Sequence, residues 1–478
     1  MNLKNHLPFW ISTLSLAIFL LAPFYVQDGM FTDGIIYAAV SKNLAEGLGD
    51  WWQPVFTNIF TKTFYEQPPF AFWLQSFFFK ILGNSFFTER VYCAITYLFA
   101  CFSLAYFWKK INPTQQYFGW LPILLYTFTP LIFWSYRHNM LENTMLIFDF
   151  WAVVFFYKTT KNNIFFQKQN VLNLIMGSFC VFLSVLTKGL VGLFPLAFFG
   201  LYYLVYLKNF QNLVFKGLTS GLFLISFFLL LFYFSPNALH FFTQYIDIQL
   251  LRSLKGEREA YDSGGQFLLL ERLTQELIPI LLAAFSTATL SYLCAKKIFF
   301  QAKKEILLFM LLGLSASLPM LVSPKQHGYY LVPCFIYFSL AASLFILPYL
   351  AEIERYFFDK KNKYIIQILY VFSFILLIFS ILYTIKNKDT YSRDELILQD
   401  IHILEKNFPA FTSFGLSADY CSEYFIGAYL QRYGNFDTDC DNQKTTLFLS
   451  RSNQNLENNN YIKEENLGLK YFILWRKK

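Results

Sequence analysis

The chain has 478 residues, of which 56% are hydrophobic and 15% charged, and it carries a formal net charge of +8. Its apolar residues come in runs of about 20, the length that a helix needs to cross the hydrocarbon core of a bilayer. The Lys and Arg residues fall between alternate runs, as topology signals do, and not in one patch. The composition therefore indicates a polytopic membrane protein and argues against nucleic acid as a partner.

The apolar runs predict eleven transmembrane helices. Basic connections alternate with connections that are poor in Lys and Arg, and the positive-inside rule assigns the basic side to the cytoplasm. The outer side then holds the first loop, 27–87, a second loop, 235–274, and everything after residue 385. In chain order the predicted helices are 8–26, 88–107, 117–134, 143–157, 171–187, 190–207, 217–234, 275–294, 305–322, 329–350 and 364–384.

Two segments bear on this count. The apolar run at 68–82 has about 14 residues, which suits an interfacial or re-entrant helix better than a membrane span. If it crossed the membrane, every later basic loop would lie outside, against the positive-inside rule. The first run, 8–26, lacks a small-residue cleavage site after it, so we predict that it is a retained span and not a removed signal.

The polar C-terminal segment, 386–478, alternates strand-like runs with helical stretches, a pattern typical of a small α/β domain. It carries no Gly-rich phosphate loop, no Cys/His metal spacing and no nucleophile elbow. We therefore divide the chain into a membrane domain, 1–385, and a soluble accessory domain, 386–478. Cys421 and Cys440 lie in the accessory domain, outside the cytoplasm, where they either form a disulfide or remain two free thiols.

Ionisable residues gather on the predicted outer face, and charged groups near a membrane mark a candidate site. Asp33 follows the first span, where it either caps the helix that begins there or acts as an acid or base. Lys188 is the only charge in a long apolar stretch, and Lys325 and His327 stand in a similar segment. Taken singly, each is more simply a solvated or snorkelling loop residue. Several cations together with two separated acids suggest a lipid-linked phosphate substrate.

Six motifs together resemble the multi-spanning glycosyltransferases that use polyprenyl-phosphate sugars, the family of bacterial aminoarabinose transferases of lipid A and of protein O-mannosyltransferases. The motifs occur in the order of the family and on the predicted outer face. They are TDGIIYA (32–38), GDWWQPVFTNIFTKTFYEQPPFAFW (49–73), TERVYCA (88–94), MLENTM (140–145), LTKGLVGL (186–193) and SPKQHGYYLVP (323–333).

The resemblance implies an all-α, GT-C-like membrane fold with interfacial helices in the first external loop, and an external active site that inverts the sugar carbon. It implies that Asp33 is the general base that deprotonates the acceptor hydroxyl. Glu142 would be a second acid, which orients the acceptor or a partner side chain. The implied donor-phosphate ligands are Arg90, Lys188, Lys325 and His327, and the other substrate-binding candidates are Tyr37, Glu66, Arg137, Tyr329 and Tyr330.

Three positions depart from the closest pattern within this family. Gly34 stands where the family often has a second acid, Ile36 where aminoarabinose transferases have Arg, and Gln67 where they have Lys. The resemblance therefore implies a polyprenyl-phosphate sugar as donor, and leaves the acceptor as lipid A, another envelope glycan or a protein. It also implies a multi-pass protein of the bacterial inner membrane, with the active site and the C-terminal domain on the periplasmic side.

Two other classes of function stay open at this point. A transporter or flippase of lipid-linked glycans would also need many spans and outward charges, but such proteins tend to carry ionisable groups near the membrane midplane. A catalytically inactive binding protein would share every motif. The five His residues are scattered, which predicts no dedicated metal site and no resident cofactor, and leaves assistance by a divalent metal open.

Overall fold

The computed structural model describes residues 3–57, 63–161, 167–252, 267–294, 302–322, 326–358, 363–440, 445–451, 461–464 and 467–478. Lys325, an expected phosphate ligand, lies outside these described residues. The chain divides into two compact units. The membrane unit comprises Met1–Pro23, Ala94–Tyr136 and Leu141–Lys386, and the α/β unit comprises Phe24–Cys93, Arg137–Met140 and Asn387–Lys478.

Helices make up most of the described chain. Short 3-10 segments connect several of them, notably Gly189–Ala197 and Gly328–Cys334. In chain order the helices are α1 (Leu3–Tyr25), α2 (Thr32–Ala45), α3 (Phe70–Leu82), α4 (Phe87–Ile111), α5 (Trp120–Phe128), α6 (Pro130–Arg137), α7 (Leu141–Thr160), α8 (Lys168–Lys188), α9 (Phe198–Tyr206), α10 (Phe210–Phe234), α11 (Pro236–Tyr245), α12 (Leu268–Cys294), α13 (Lys303–Ser317), α14 (Phe335–Phe358), α15 (Lys363–Lys386), α16 (Glu395–Asn407), α17 (Ala418–Ser422) and α18 (Tyr424–Gly434).

Within the described ranges, eight segments are long and apolar enough to cross a membrane, or nine if two helices bent by 73° count as one span. The most apolar windows of α10, α12 and α15 are each only 11% buried, as expected for helices that face lipid. The eleven predicted spans stay a prediction. The segments are Asn5–Tyr25, Phe87–Ile111, Lys168–Tyr206, Phe210–Phe234, Leu268–Leu293, Lys303–Leu321, Gly328–Arg355 and Tyr364–Lys386, and the bent pair is Pro113–Phe128 with Pro130–Arg137.

The segment Lys168–Tyr206 is 39 residues long, about twice a membrane span, and it turns back on itself after Lys188. Gly189 follows α8 with a φ of +77°, a positive value that glycine adopts without strain. A methyl group added at Gly192 would lie 2.3 Å from Oγ of Ser184, so the residues after the turn lie beside the last turns of α8. This reversal agrees with the predicted turn at Lys188.

The α/β unit contains the expected C-terminal sheet. Its five strands lie in the order β4-β3-β5-β7-β6, in which β3 is parallel to β4 and β5, and β7 is antiparallel to β5 and β6. Cys421 and Cys440 form a disulfide, with their Cα atoms 5.9 Å apart. The strands are β1 (Gly49–Asp50) and β2 (Gln53–Pro54), which form a separate hairpin, and β3 (Ser413–Leu416), β4 (Asp437–Asp439), β5 (Leu447–Ser450), β6 (Tyr461–Lys463) and β7 (Ile473–Lys477).

The C-terminal segment shares its hydrophobic core with the first loop. Met30 and Ile35, from the first loop, are buried in the same cluster as Phe414, Leu430 and Leu449. Burial of such side chains is the main favourable contribution to folding. The membrane unit ends at Lys386, and residues 24–93, which we placed in the membrane domain, group with the C-terminal segment. The division into domains 1–385 and 386–478 stays a prediction.

Buried polar side chains fasten α2 and α4 to the C-terminal helix α18. Lys42 is 1% exposed, and its Nζ donates to the main-chain oxygens of Gln431 at 2.7 Å and Arg432 at 2.8 Å. The last carbonyls of a helix lack partners within the helix and carry partial negative charge, so an ammonium group suits this position. The guanidinium of Arg432 in turn donates to Glu89, with Nη2 2.7 Å from Oε2.

Asp28 anchors the start of the first loop to the C-terminal segment. Its carboxylate accepts hydrogen bonds from the Gly29 amide at 2.6 Å, from the Tyr433 hydroxyl, and from Nε2 of His402 at 2.9 Å. Burial by itself would lower the pKa of His402, but its hydrogen bonds to Asp28 and Glu405 outweigh burial and raise the pKa to about 9. His402 is therefore a cation in the folded protein at neutral pH.

We expect the α/β unit to lose stability in alkaline solution. The folded-state pKa of His402 is raised to about 9, above the ordinary value of about 6.5. Its contribution is therefore complete below the ordinary value and is lost as the pH rises through the folded-state value. Hydrogen exchange of α16, corrected for intrinsic rates, should show protection falling from neutral pH to above pH 9 in the wild type and much less in His402→Gln. An equal pH dependence in both proteins would contradict this role.

Candidate active site

Asp33 lies in the first turn of α2 and is half-buried. Phe31 occupies the N-cap position, so Asp33 is not the cap residue that one sequence interpretation made it. A carboxylate in a first turn is still favourable, because the amide end of a helix carries partial positive charge. The helix thus presents Asp33 near its amino end.

A close backbone approach fixes this first turn. A Cβ atom at Gly34 would lie 1.9 Å from the main-chain oxygen of His138, so no other residue fits without moving the backbone. Nδ2 of Asn139 donates to the Gly34 carbonyl at 3.0 Å, and Oδ1 of Asn139 accepts from Nε2 of Gln75 at 2.8 Å. The departure from the family pattern at Gly34 has a steric reason here, since an acidic side chain would collide with the segment Arg137–Met140.

Arg90, expected to bind the donor phosphate, is only 3% exposed and donates to main-chain oxygens. Nη1 lies 2.6 Å from the carbonyl oxygen of Arg137, and Nη2 donates to the carbonyl of Gly29. In this position the guanidinium joins the loop before α2 to the segment that contacts Gly34. Its role as a phosphate ligand stays a prediction.

The surroundings of the first turn are electropositive. Burial, together with the charges of Arg90, Arg393 and Arg137, lowers the pKa of His138 to about 3. The neutral imidazole accepts a hydrogen bond from the amide of Phe31, with 3.2 Å between nitrogen atoms. Three guanidinium groups near one imidazole create a positive potential, which attracts anions.

Three further residues expected at the substrate have defined positions in this unit. Tyr37 is 4% exposed and its ring contacts Phe72, with centroids 5.8 Å apart. The guanidinium of Arg137 lies over the ring of Phe24, 3.7 Å from the centroid. Glu66 is exposed and lines a cavity of the α/β unit. None of the three contacts is itself evidence of substrate binding, so these roles also stay predictions.

A second cluster lies in the membrane unit, where α7 packs along α8. Lys188, the last residue of α8, donates from Nζ to Oε1 of Glu142 in the first turn of α7. The two side chains are only 6% and 1% exposed. A buried ion pair of this kind contributes little net stability, but loss of one partner leaves a buried charge and is strongly destabilising.

Aromatic side chains surround the ammonium group of Lys188. Its Nζ lies 5.3 Å from the ring centroid of Tyr329 and 5.4 Å from that of Tyr330, within range of a cation–π interaction. His327 stacks on Tyr329 with centroids 5.0 Å apart, and Trp134 stacks on the same ring at 6.2 Å. The predicted residues that the structure brings together are thus Glu142, Lys188, His327, Tyr329 and Tyr330.

Sequence reasoning missed two residues of this region. Asp149 lies two turns after Glu142 on α7, is 1% exposed, and accepts a hydrogen bond from Oγ of Ser184 at 2.6 Å. Its signal was available, because an acid inside an apolar span is a candidate functional group. Trp134 offered no signal, since 21% of the residues in this chain are aromatic.

The described residues contain no group of three or more His, Cys, Asp or Glu side chains that could hold a metal ion. In the membrane unit, Glu142 pairs with an ammonium group and Asp149 with a hydroxyl. Neither arrangement is the set of several oxygen ligands that Mg²⁺ or Ca²⁺ takes.

Comparison with known proteins agrees with this fold. Residues 66–240 match the family model described as dolichyl-phosphate-mannose-protein mannosyltransferase, a range that includes Arg90, Glu142 and Lys188. No curated protein matches the chain.

Solved structures of two proteins are similar to this architecture. ArnT from Cupriavidus metallidurans, solved in the apo state and bound to undecaprenyl phosphate, has a TM-score of 0.62 and 12% identity, covering 98% of this chain and 97% of its own. The oligosaccharyltransferase AglB from Archaeoglobus fulgidus, in complex with an inhibitory peptide and a dolichol-phosphate, has a TM-score of 0.53 and 11% identity, covering 90% of this chain and 64% of its own. The expected fold class is thereby confirmed, and the chain is a multi-pass membrane protein with the GT-C fold.

Proposed function

We propose that the chain transfers a sugar from a polyprenyl-phosphate donor to an acceptor hydroxyl, with inversion at the sugar carbon. The observation that carries this proposal is the buried pair of Lys188 and Glu142 beside Tyr329 and Tyr330. A fixed cation in a dry site stabilises a departing phosphate more than it would in water. The undecaprenyl phosphate bound in one ArnT structure supports the same class of donor here.

Lys188 is the residue that we assign to the donor phosphate. Its ammonium group has three hydrogens to donate, so it can keep the bond to Glu142 while it binds a phosphate oxygen. His327, stacked on Tyr329, is a second ligand, and Lys325 a third. Of the two roles expected for Glu142, its ion pair with Lys188 favours the positioning of a partner side chain.

Asp33 is the general base of this proposal. The acceptor oxygen attacks the anomeric carbon while the Asp33 carboxylate takes the hydroxyl proton, and the electron pair of the breaking bond leaves on the phosphate oxygen. A base held within hydrogen-bond reach contributes about 10²- to 10⁴-fold to the rate. The rigid setting of α2, with Gly34 against His138 and Lys42 at the end of α18, supports this role because a base must be held in place.

The acceptor that we propose is lipid A or another envelope glycan at the periplasmic face of a bacterial inner membrane. A protein acceptor is the alternative, and the match of residues 66–240 to a family described for protein mannosyltransferases favours it. We expect cells that lack the gene to lose one sugar mass from lipid A or from a surface glycan, as measured by mass spectrometry. Loss from envelope proteins alone would select the protein acceptor, and loss from none of these would contradict the proposal.

Replacement of the base separates catalysis from binding. Asp33→Asn should lower transfer to the acceptor identified by mass spectrometry by about 10²- to 10⁴-fold, with undecaprenyl phosphate bound as by the wild type. Asp50→Asn is the matched control, because the Asp50 carboxylate accepts the amides of Trp52 and Gln53, both at 2.8 Å, and an asparagine oxygen can do the same. Normal transfer by Asp33→Asn would remove Asp33 as the base.

The ion pair of the membrane unit allows a double-mutant test. Lys188→Met should destabilise the protein by about 3–5 kcal/mol, because it leaves the Glu142 carboxylate buried without its cation. The double variant Lys188→Met/Glu142→Gln should regain thermal stability but not transfer or binding of undecaprenyl phosphate. If the double variant also regains activity, Lys188 serves packing and not the donor phosphate.

A further inference from the structure

The α/β unit contains a cavity of about 230 Å³ that our assignment of the transfer reaction does not use. Residues of the first loop and of the C-terminal segment, both parts of this unit, form its walls. Its lining combines acids with aromatic rings. The side chains that matter here are Glu66, Glu423, Phe56, Phe64, Tyr420 and Tyr424.

Gly427 keeps this cavity open. It lies in the interior of α18, where glycine is less stable than alanine because it loses more backbone entropy. Its backbone φ is not positive, and the nearest atom to an added Cβ would be Oγ1 of Thr438 at 3.7 Å, an ordinary contact. Local packing therefore does not require glycine. Because Gly427 and Thr438 both line the cavity, a larger side chain at 427 would fill it.

Covalent and ionic links brace the cavity walls. The disulfide between Cys421 and Cys440, both lining residues, joins α17 to the residue after β4. The Glu423 carboxylate pairs with the guanidinium of Arg451, which holds it in place. A cavity with fixed walls loses little conformational entropy when a ligand binds.

We propose that this cavity binds a sugar ring. Carboxylates accept hydrogen bonds from sugar hydroxyls, and aromatic rings contact the C–H face of a sugar, so acids with Tyr and Phe rings suit a carbohydrate. An acyl chain would desolvate Glu66 and Glu423 without offering hydrogen bonds. A basic peptide fits less well, since Arg451 already neutralises one of the two acids. The ligand class is thus a saccharide, and the site would hold the glycan part of a substrate independently of transfer.

The test uses full-length protein in detergent, with glucose and N-acetylglucosamine as probes. Saturation-transfer difference NMR measures whether each sugar binds. We expect binding by the wild type, by Gly427→Ala and by Asp33→Asn. Gly427→Leu should bind roughly tenfold more weakly or not at all, because its side chain occupies the cavity. Gly427→Ala is the matched control, since it adds one methyl group where an ordinary contact is available.

Other outcomes decide against the site. Equal sugar binding by Gly427→Leu and wild type, or no sugar binding by the wild type, overturns the proposal, as does binding of a Lys-rich peptide in place of the sugars. Tyr424→Ala, at an exposed position that lines the cavity, should weaken sugar binding and provides a second variant should Gly427→Leu fail to fold. Binding of undecaprenyl phosphate by these variants is unaffected if only the cavity is lost, which separates this proposal from that of the transfer reaction.

Discussion

The contact between the Lys42 ammonium group and the last carbonyls of α18 is the constraint on which the α/β unit depends. Without it, two carbonyls and a charged group would be buried with fewer partners, and each such loss costs about 1–3 kcal/mol or more. Burial lowers the pKa of Lys42 to about 7, but the neutral amine also donates hydrogen bonds. The contact therefore survives deprotonation, and it holds the carboxyl end of α2 while Gly34 holds the amino end.

Arg90 and Lys188 are both buried cations, but they use their hydrogen-bond donors differently. The guanidinium of Arg90 donates hydrogen bonds to main-chain oxygens, so Arg90 influences its surroundings mainly through its positive electrostatic potential. The ammonium group of Lys188 bonds one carboxylate and contacts two aromatic rings. These contacts do not use all three of its hydrogens. A compact ammonium group with spare donors suits a phosphate, whereas a guanidinium whose two Nη atoms bond main-chain oxygens suits a fixed scaffold.

Much of the membrane unit could be predicted from sequence, because hydrophobic length and charge alternation are local signals. The turn after Lys188 follows from the gap between the predicted helices 171–187 and 190–207, and the short helix α3 follows from run length. Glu142, Lys188, His327 and Tyr329 could be chosen as candidate site residues because their motifs occur in the order of the family. Its ion pair could not be predicted, since it depends on how α7 packs along α8.

The α/β unit was harder to predict for the same reason. Nothing near Met30 or Lys42 in the chain indicates that their partners lie in α18, because such pairing depends on tertiary packing and not on local pattern. The sequence did show that Gly34 departs from the family pattern, but only the carbonyl of His138 explains why. Asp149 is a different case, a local signal that was present and overlooked.

The distance along the chain between these partners has a consequence for biosynthesis. The amide and carbonyl of Met30 both bond to the hydroxyl of Tyr429, 399 positions later. The first loop is made early, yet its core cannot close until the residues after Lys386 have been synthesised. Contacts of such long range form slowly. Until the C-terminal segment has been synthesised, the loop that carries Asp33 therefore leaves Met30, Ile35 and Lys42 without the partners that bury them. A chain that ends within α18 therefore leaves this core open, although every residue of the membrane unit is present.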